Sequence, residues 1–257
     1  MFVTTAGRTD DIHIERAKNI AAQFSFPFFQ RNKRSIARMH QDYEMDCLVV
    51  GKNKLELHKI SGSAPFFFHP NIAMVRIKRI MNGEEDPYIT AAGIERGSSI
   101  LDCTLGLGAD AIVASYVSGP IGEIRAIEEN PIVSFIVGQG LSRWESGIEL
   151  MDAAMRRIDI NTGNHHEVLK TLTDNSFDVV YFDPMFTERI EESEGMEGLA
   201  QFASYGDLLE ETIEQAKRVA KNRVVLKDHF RSKRFEQLGF TTVKRKTSLF
   251  HYGYIQL

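Results

Sequence analysis

Apolar positions recur along this chain at two periods, helical and alternating, and the order in which they do so divides it into two parts. From Asp10 onward, Ile14, Ala17, Ile20 and Ala21 fall at helical spacing and predict an early helix. Phe24, Phe26, Phe28 and Phe29 then cluster around Pro27. The stretch from Asp46 to Val50, the turn Gly51-Lys52-Asn53 and the alternating stretch from Lys54 to Ile60 predict a hairpin. Phe66, Phe67 and Phe68 predict a further buried strand, and Thr4-Thr5-Ala6-Gly7-Arg8 a polar turn. Residues 1–70 therefore read as a small N-terminal α+β domain. A helix over 71–81 follows, with Met74, Ile77 and Met81 on one face and Arg76, Lys78 and Arg79 on much of the rest.

Residues 71–257 read as a second domain in which strand and helix patterns alternate, the mark of a mostly parallel sheet covered by helices. Strands are predicted at Ser98–Cys103, Glu123–Ile127, Ile158–Ile160, Asp178–Phe182 and Arg223–Lys227. Asn130 is placed to cap a helix, with Pro131 in its first turn. Leu209, Ile213, Ala216 and Ala220 stripe another helix. Phe240–Val243 and Leu249–Ile255 close the chain as two late, antiparallel strands.

Composition narrows the class. The 257 residues are 43% hydrophobic and 26% charged, enough apolar content to offset chain entropy. There is no run of about 18 apolar residues, and Asp10, Asp11, Glu15 and Arg16 leave no secretory pattern at the start. The two cysteines, Cys47 and Cys103, exclude a disulfide scaffold and a four-cysteine zinc site. A reducing, cytoplasmic setting is expected. The eight histidines are scattered, and His165-His166 lack partners at ligand spacing, so no metal is expected.

A net charge of −4 argues against a nucleic-acid partner only if charge is spread evenly, and it is not. Between Lys227 and Lys246 stand seven basic and two acidic residues; between Phe186 and Gln215, one basic and nine acidic. Such runs are either solvated faces or local attractors of phosphate.

Asp102-Cys-Thr-Leu-Gly-Leu-Gly-Ala-Asp110 carries the strongest chemical signal, where a strand ends and a helix begins. Gly106 and Gly108 let the backbone pass close to a ligand, and Glu128, at the end of the next strand, can accept hydrogen bonds from both ribose hydroxyls. Gly106, Gly108 and Ala111 also fit a nicotinamide fingerprint. Asp102 and Asp110 oppose that reading, since carboxylates suit a ligand ammonium and not a pyrophosphate. Both fit S-adenosylmethionine (SAM). A second signal, Asp183-Pro184-Met185-Phe186, follows the fourth strand in sequence order. There a carboxylate and backbone carbonyls can orient an exocyclic amine, and Phe186 can stack on a base.

With these residues in hand, the chain resembles the class I SAM-dependent methyltransferases, and within them the small-subunit ribosomal RNA guanine-N2 methyltransferase J family. The likeness rests on the stretch Asp102–Asp110, on Glu128 with Asn130-Pro131, on Val179-Val-Tyr-Phe-Asp-Pro-Met-Phe186 and on Arg223-Val-Val-Leu-Lys227, and runs from about Ile94 to the end. It implies a Rossmann-like sheet of seven strands with one antiparallel strand, helices on both faces, and SAM over the strand ends. Asp102, Thr104, Gly106 and Gly108 would surround the methionine part, with Asp110 nearby. Glu128 and Glu129 would hold the ribose, and Asn164 and His165 would lie at the adenine. Asp183, Pro184 and Phe186 would act on the target amine, with Asp183 also against the cofactor. Ala109, Glu129 and Thr187 depart from the family's arginine, arginine and proline, which leaves SAM binding expected and the same RNA target open.

The function expected is therefore methylation of a guanine N2 amine in RNA, with ribosomal RNA or the small subunit as partner. Lys227, Arg231, Lys233, Arg234, Lys244, Arg245 and Lys246 are expected phosphate contacts, with Arg31, Lys33 and Arg34 as a second patch. Glu191, Glu192, Glu194 and Glu197 read as a solvated acidic loop that can serve as a lid. His251, Tyr252 and Tyr254 read as strand residues. A methyltransferase for a small amine or protein side chain, and a non-enzymatic RNA-binding or assembly factor on the same fold, are the competing readings.

Overall fold

In the computed structural model the β-branched and aromatic start of the chain forms a strand, β1 (Phe2–Thr5), where a polar turn is predicted. Burial of all four residues overrides the polarity of the two threonines. The structure describes residues 1–62, 64–184, 201–202 and 208–257, in two compact units: 1–69 with Gln201 and Phe202, and the remainder.

In the first unit, Asp10 caps α1 (Asp11–Gln23) and Ser35 caps α2 (Ile36–Tyr43). β2 (Cys47–Val50) and β3 (Leu55–His58) form the predicted hairpin, and β1 joins β2 in parallel to complete a three-stranded sheet. Phe66 makes only an isolated bridge to Leu57, so the predicted Phe66–Phe68 strand is not formed. Phe2, Met39, Cys47 and Val49 make the core, edged by Phe29 and Tyr43, whose rings stack at 3.8 Å.

The second unit follows the element order α3 (Asn71–Met81), α4 (Pro87–Ala92), β4 (Ser99–Asp102), α5 (Ala109–Ser118), β5 (Glu123–Glu128), α6 (Pro131–Arg143), α7 (Glu149–Arg156), β6 (Ile158–Thr162), α8 (His165–Thr171) and β7 (Phe177–Phe182). It then continues through α9 (Glu210–Val219), β8 (Ala220–His229), α10 (Arg234–Gln237), β9 (Thr241–Val243) and β10 (Phe250–Gln256). Asn130 caps α6 and Pro131 begins it, as predicted. Ala220, predicted on the helical stripe, is instead the first residue of β8, because α9 ends at Val219.

The strands form one sheet in the order β6-β5-β4-β7-β8-β10-β9. Only β10 runs against its neighbours, pairing antiparallel with both β8 and β9. This is the Rossmann-like sheet of seven strands with one antiparallel strand that the resemblance implies. Chain order reverses between β4 and β7, the place where ligands bind in open α/β sheets.

The two faces differ in chemistry. Leu101, Val180, Phe182, Val224 and Leu226 form a dry core with Ile213, Ala216 and Val219 of α9. On the face covered by α3, α4 and α5, the strands present Tyr181, Lys227 and Tyr252, with the Tyr88 ring of α4 tilted against that of Tyr181, centroids 4.4 Å apart. Among the described residues no helix is long and apolar enough to cross a membrane.

Leu101 is fully buried on a central strand next to the switch point. Leu101→Ala should cost about 2–5 kcal/mol, the range for emptying a well-packed leucine site, read from urea unfolding. A loss under about 1 kcal/mol would mean that this face repacks freely.

Candidate active site

The loop leaving β4 is shaped by backbone contacts to its neighbours. Cys103 N–H donates to the Tyr181 carbonyl (2.8 Å) and Leu105 N–H to the Ile127 carbonyl (2.9 Å), so the loop is held between β7 and β5. Gly108, the residue before α5, has a φ of +75°, and a Cβ there would stand 3.3 Å from Leu105 Cδ1. Glycine is needed at that turn for both reasons. Thr104 bridges the two motifs: its N–H donates to Asp102 Oδ1 (3.0 Å), and its hydroxyl accepts Asp183 N–H (2.6 Å).

Around this loop lie the carboxylates. Asp102 is fully buried, and among the described residues no basic side chain is in ion-pair contact with it; burial pushes its pKa up to about 8. Glu128 accepts from Asn130 N–H (2.9 Å) and Gly106 N–H (3.3 Å), which fixes it at the end of β5; burial raises its pKa against those two donors. Asn164 caps α8 and donates to Glu129 Oε1 (2.9 Å), and the His165 ring meets the edge of Phe182 at 5.7 Å. Together these groups can hold a ligand with an ammonium at one end and vicinal hydroxyls further along: Asp102 can accept the ammonium and Glu128 the hydroxyls. The donor set thus fits SAM.

Asp183 follows β7 and faces Lys227 of β8, with Nζ 2.5 Å from Oδ2. The same ammonium lies 3.4 Å from Asp110 Oδ2, which also accepts the Tyr181 hydroxyl (3.0 Å). Arg76 of α3 reaches Asp110 Oδ1 (2.5 Å) and turns the rest of its guanidinium to both oxygens of Asp86 (2.8 Å each). Asp86 in turn caps α4. Burial opposes every one of these charges. Lys227 and Arg76 nevertheless hold the Asp110 pKa below the usual carboxylate range, and Asp110 and Asp183 hold the Lys227 pKa above its usual value. For Asp183, burial outweighs Lys227 and raises the pKa to about 6.

The structure thus brings Asp102, Thr104, Gly106, Gly108, Glu128, Asp183 and Pro184 to the ends of β4, β5 and β7, with Glu129, Asn164 and His165 beside β5. It separates others from their expected parts. Lys227, expected to meet phosphate, is taken up by two carboxylates. Arg234 is closed onto buried Asp228 (2.7 Å). Asp110 faces Arg76, Tyr181 and Lys227, so the guanidinium beside it comes from α3, Ala109 having none to give. In the first unit, Arg31 bonds the carbonyls of Arg34 (2.7 Å) and Thr5 (3.1 Å), and Arg34 bonds Asp42 and Tyr43, both holding local structure. Arg231, Lys233, Lys244 and Lys246 are exposed, and Arg245 lies 4.8 Å from the Phe250 ring, which also stands 4.9 Å from Lys227 Nζ. Phe186, Thr187, Glu191, Glu192, Glu194 and Glu197 lie outside the described residues.

Arg76, Asp86 and Phe250 are members that the pattern reading passed over. A signal for Arg76 was present: it shares a helical stripe with buried Ala73 and Ile77, where a cation needs a buried partner. Asp86-Pro87 was also legible as a helix start.

The fold is Rossmann-like, and its strand ends carry acceptors that suit a ligand ammonium and vicinal hydroxyls. A family model for SAM-dependent methyltransferases matches residues 32–250, and the chain belongs to that family. Its cofactor is accordingly SAM and its activity methyl transfer. The "uncharacterized protein YpiP" of Bacillus subtilis is 50% identical over 99% of both chains. The ribosomal RNA small subunit methyltransferase J of Nitrosococcus oceani is 30% identical over 70% of this chain and 72% of its own. Among solved structures, a SAM-dependent methyltransferase from Neisseria gonorrhoeae superposes with a TM-score of 0.63 over 100% of this chain and 96% of its own; at 17% identity this is a likeness of fold.

The buried Asp102 carboxyl has a measurable consequence. Its folded pKa, about 8, lies above its ordinary value of 3.8, so the folded chain holds this proton more tightly than the unfolded chain does. Its contribution to stability is full below that ordinary value and is lost as pH rises toward 8. Asp102→Asn in the cofactor-free protein should therefore gain stability over the parent progressively across that window, in urea unfolding at stepped pH. A difference that is constant with pH would show that Asp102 ionises normally.

Proposed function

We propose that this methyltransferase acts on the exocyclic N2 amine of a guanine in small-subunit ribosomal RNA. The observation that carries the reading is Asp183-Pro184 at the strand end beside the cofactor loop, its carboxylate turned to Lys227 and an aromatic ring, Phe250, within reach of the same ammonium. Relatives named as small-subunit ribosomal RNA methyltransferases, at about 30% identity, support the same substrate class.

SAM, when bound, supplies a methyl group on a sulfonium centre, open to in-line attack. In this reading Asp102 and the backbone of Thr104, Gly106 and Gly108 hold its amino acid part, Glu128 and Glu129 its ribose, and Asn164 and His165 border its adenine. A guanine amine is a weak nucleophile because its lone pair is delocalised into the ring. Asp183 and the carbonyls flanking Pro184 accept its hydrogens, aim the lone pair and relieve the positive charge that grows on nitrogen. Phe186 stacks on the base. A base edge becomes reachable when the nucleotide is unstacked, which single-stranded RNA loops permit at least cost. Arg231, Lys244, Arg245 and Lys246 neutralise flanking phosphates, while Lys227 serves the carboxylate.

The first test is calorimetric titration with SAM, its demethylated product and NADH, followed by mapping of N2-methylguanine in ribosomal RNA from a deletion strain. Binding of the first two ligands and a guanine that loses its methyl group in the strain are expected; an unchanged methylation map moves the substrate to a small amine or a protein. Asp183→Ala should lower methyl transfer at least about a hundredfold with SAM affinity nearly unchanged, because a well-placed group that stabilises developing charge typically contributes that much. Turnover within about threefold of the parent would remove Asp183 from the chemistry. Changing Lys244, Arg245 and Lys246 together to Glu should weaken RNA binding and flatten its dependence on salt. An unaltered salt slope would place the RNA elsewhere.

A further inference from the structure

Lys227 is drawn into the sheet by an unbroken alternation of charge. From α4 to the end of β7 the order is Asp86, Arg76, Asp110, Lys227, Asp183, each joined to the next by contacts of 2.5–3.4 Å. Asp86 is fixed by capping α4, and Arg76 is fixed by a two-pronged contact to Asp86. Asp110 is fixed by Arg76 and by the Tyr181 hydroxyl. The last two members are Lys227 and Asp183. Lys227 shares its ammonium between Asp110 and Asp183, and it does so because strand register brings it there: Phe182, the last residue of β7, pairs with Leu226, so Asp183 follows directly beside Lys227, which is still within β8.

We propose that Lys227 is the positioning residue for Asp183: anchored through Asp110 and Arg76 to α3 and α4, it fixes one carboxylate oxygen and keeps the group ionised where an amine is to be received. This deepens the reading of Asp183 as the group that meets the substrate amine and rests on it. The charge count agrees with the task. Three carboxylates and two cations leave the chain of five with one net negative charge, and the end member nearest the proposed attacking nitrogen, Asp183, is a carboxylate. A lysine there also does what a neutral donor could not, since without it burial would favour the acid form of Asp183, which holds its proton and cannot offset a cation.

The other charged and titratable groups around the pair are accounted for. In the cofactor-free protein Asp102 of β4 is largely protonated at neutral pH by its burial. Asp228 of β8 is turned to Arg234 and Ser232. Tyr88 of α4, Tyr181 of β7 and Tyr252 of β10 have burial-raised pKa values and stay neutral. Lys227 and Asp110 are the charged neighbours that act most on Asp183, in opposite directions, and Asp228 adds to the upward push of Asp110.

The test reads Asp183 directly, with no substrate. In cofactor-free protein carrying 13C at its aspartate carboxyl carbons, the Asp183 resonance is assigned by its loss in Asp183→Asn and titrated. The parent midpoint is expected near pH 6. Lys227→Met should raise it by at least about one pH unit, the usual effect of losing an adjacent opposite charge, and Lys227→Arg should restore most of the difference. Asp110→Asn should move the midpoint the other way, downward, because it removes a like charge and frees the ammonium for Asp183. Should Lys227→Met fail to fold, Lys227→Gln and Asp110→Asn carry the same two directions. In turnover, the acidic limb of kcat/KM should follow the same shifts while KM for SAM stays within about twofold, a split that a loss of packing alone would not produce. A midpoint unmoved in these variants overturns the proposal. If the midpoints move as expected and the parent methylates no ribosomal RNA, the substrate reading fails and the Lys227 arrangement stands; an active parent with an unmoved midpoint means the reverse.

Discussion

Five buried or half-buried charges in alternation, from Asp86 to Asp183, are the constraint on which the second unit is arranged. An isolated ion in such a place would cost several kcal/mol to desolvate, and each member here is acceptable only because its neighbours carry the opposite sign. The arrangement therefore demands its supports. α3 must lie where Arg76 can reach α5, α4 must be capped by Asp86, and the end of β7 must be in register with Leu226 and Lys227 of β8. Removing Arg76 would take the ion-pair partner from Asp86, and removing Lys227 would take it from Asp183. The helices ahead of β4 are thus more than a cover for the sheet, since they carry the first two charges of the series.

This polar layer also explains why the sheet has unlike faces. Tyr88, Tyr181 and Tyr252 combine a large apolar ring with one polar tip, so they fill the space between sheet and helices and still line an ionic path. Tyr181 supplies the hydroxyl that Asp110 needs. On the other face the same strands offer Leu101, Val180, Phe182, Val224 and Leu226 and need no polar partner. The dry face supplies cohesion, and the tyrosine face supplies position. The proposed catalytic end lies where the two meet, at Asp183, immediately after Phe182 on the dry side and beside Lys227 on the polar side.

How much of this was legible in the sequence follows from range. Alternation and caps are local, and they placed β2, β3, β4, β5, β7, α3 and the start of α6 correctly or within a residue or two. The glycine loop and Asp183-Pro184 could be placed at strand ends because each adjoins a clear apolar run. What failed was non-local. β1 depends on a parallel partner some forty residues away in the chain and on burial of two threonines, neither visible in a five-residue window. Lys227 reads as one more member of a basic run until the β7–β8 register puts Asp183 beside it and α5 brings Asp110. Arg31 and Arg34 likewise read as a patch until the backbone carbonyls they bond are known. Charge is the property that sequence reports most plainly, yet the partner that decides its role is usually distant in sequence.

The same distinction bears on how an acidic protein can meet a polyanion. Net charge counts every ion equally, but Arg76, Lys227 and Arg234 are neutralised by contacts within the fold and contribute little field outside it. The cations that remain available to solvent near the late strands are Arg231, Lys233, Lys244 and Lys246, with Arg245 partly exposed beside Phe250. At physiological salt, charge is screened over about 8 Å, so a phosphate at that surface responds to those side chains and hardly to carboxylates farther off. A net charge of −4 therefore weakens long-range attraction and leaves short-range contact intact. For the proposed RNA substrate this shifts the work of selection from steering to fit, because productive binding must come from a few phosphates and an unstacked base meeting their partners at once. That division suits an enzyme whose chemistry is positional. In the proposed reading the groups at the end of β7 act only on an amine already delivered to them, with the charge series behind Asp183 keeping that carboxylate ionised for it.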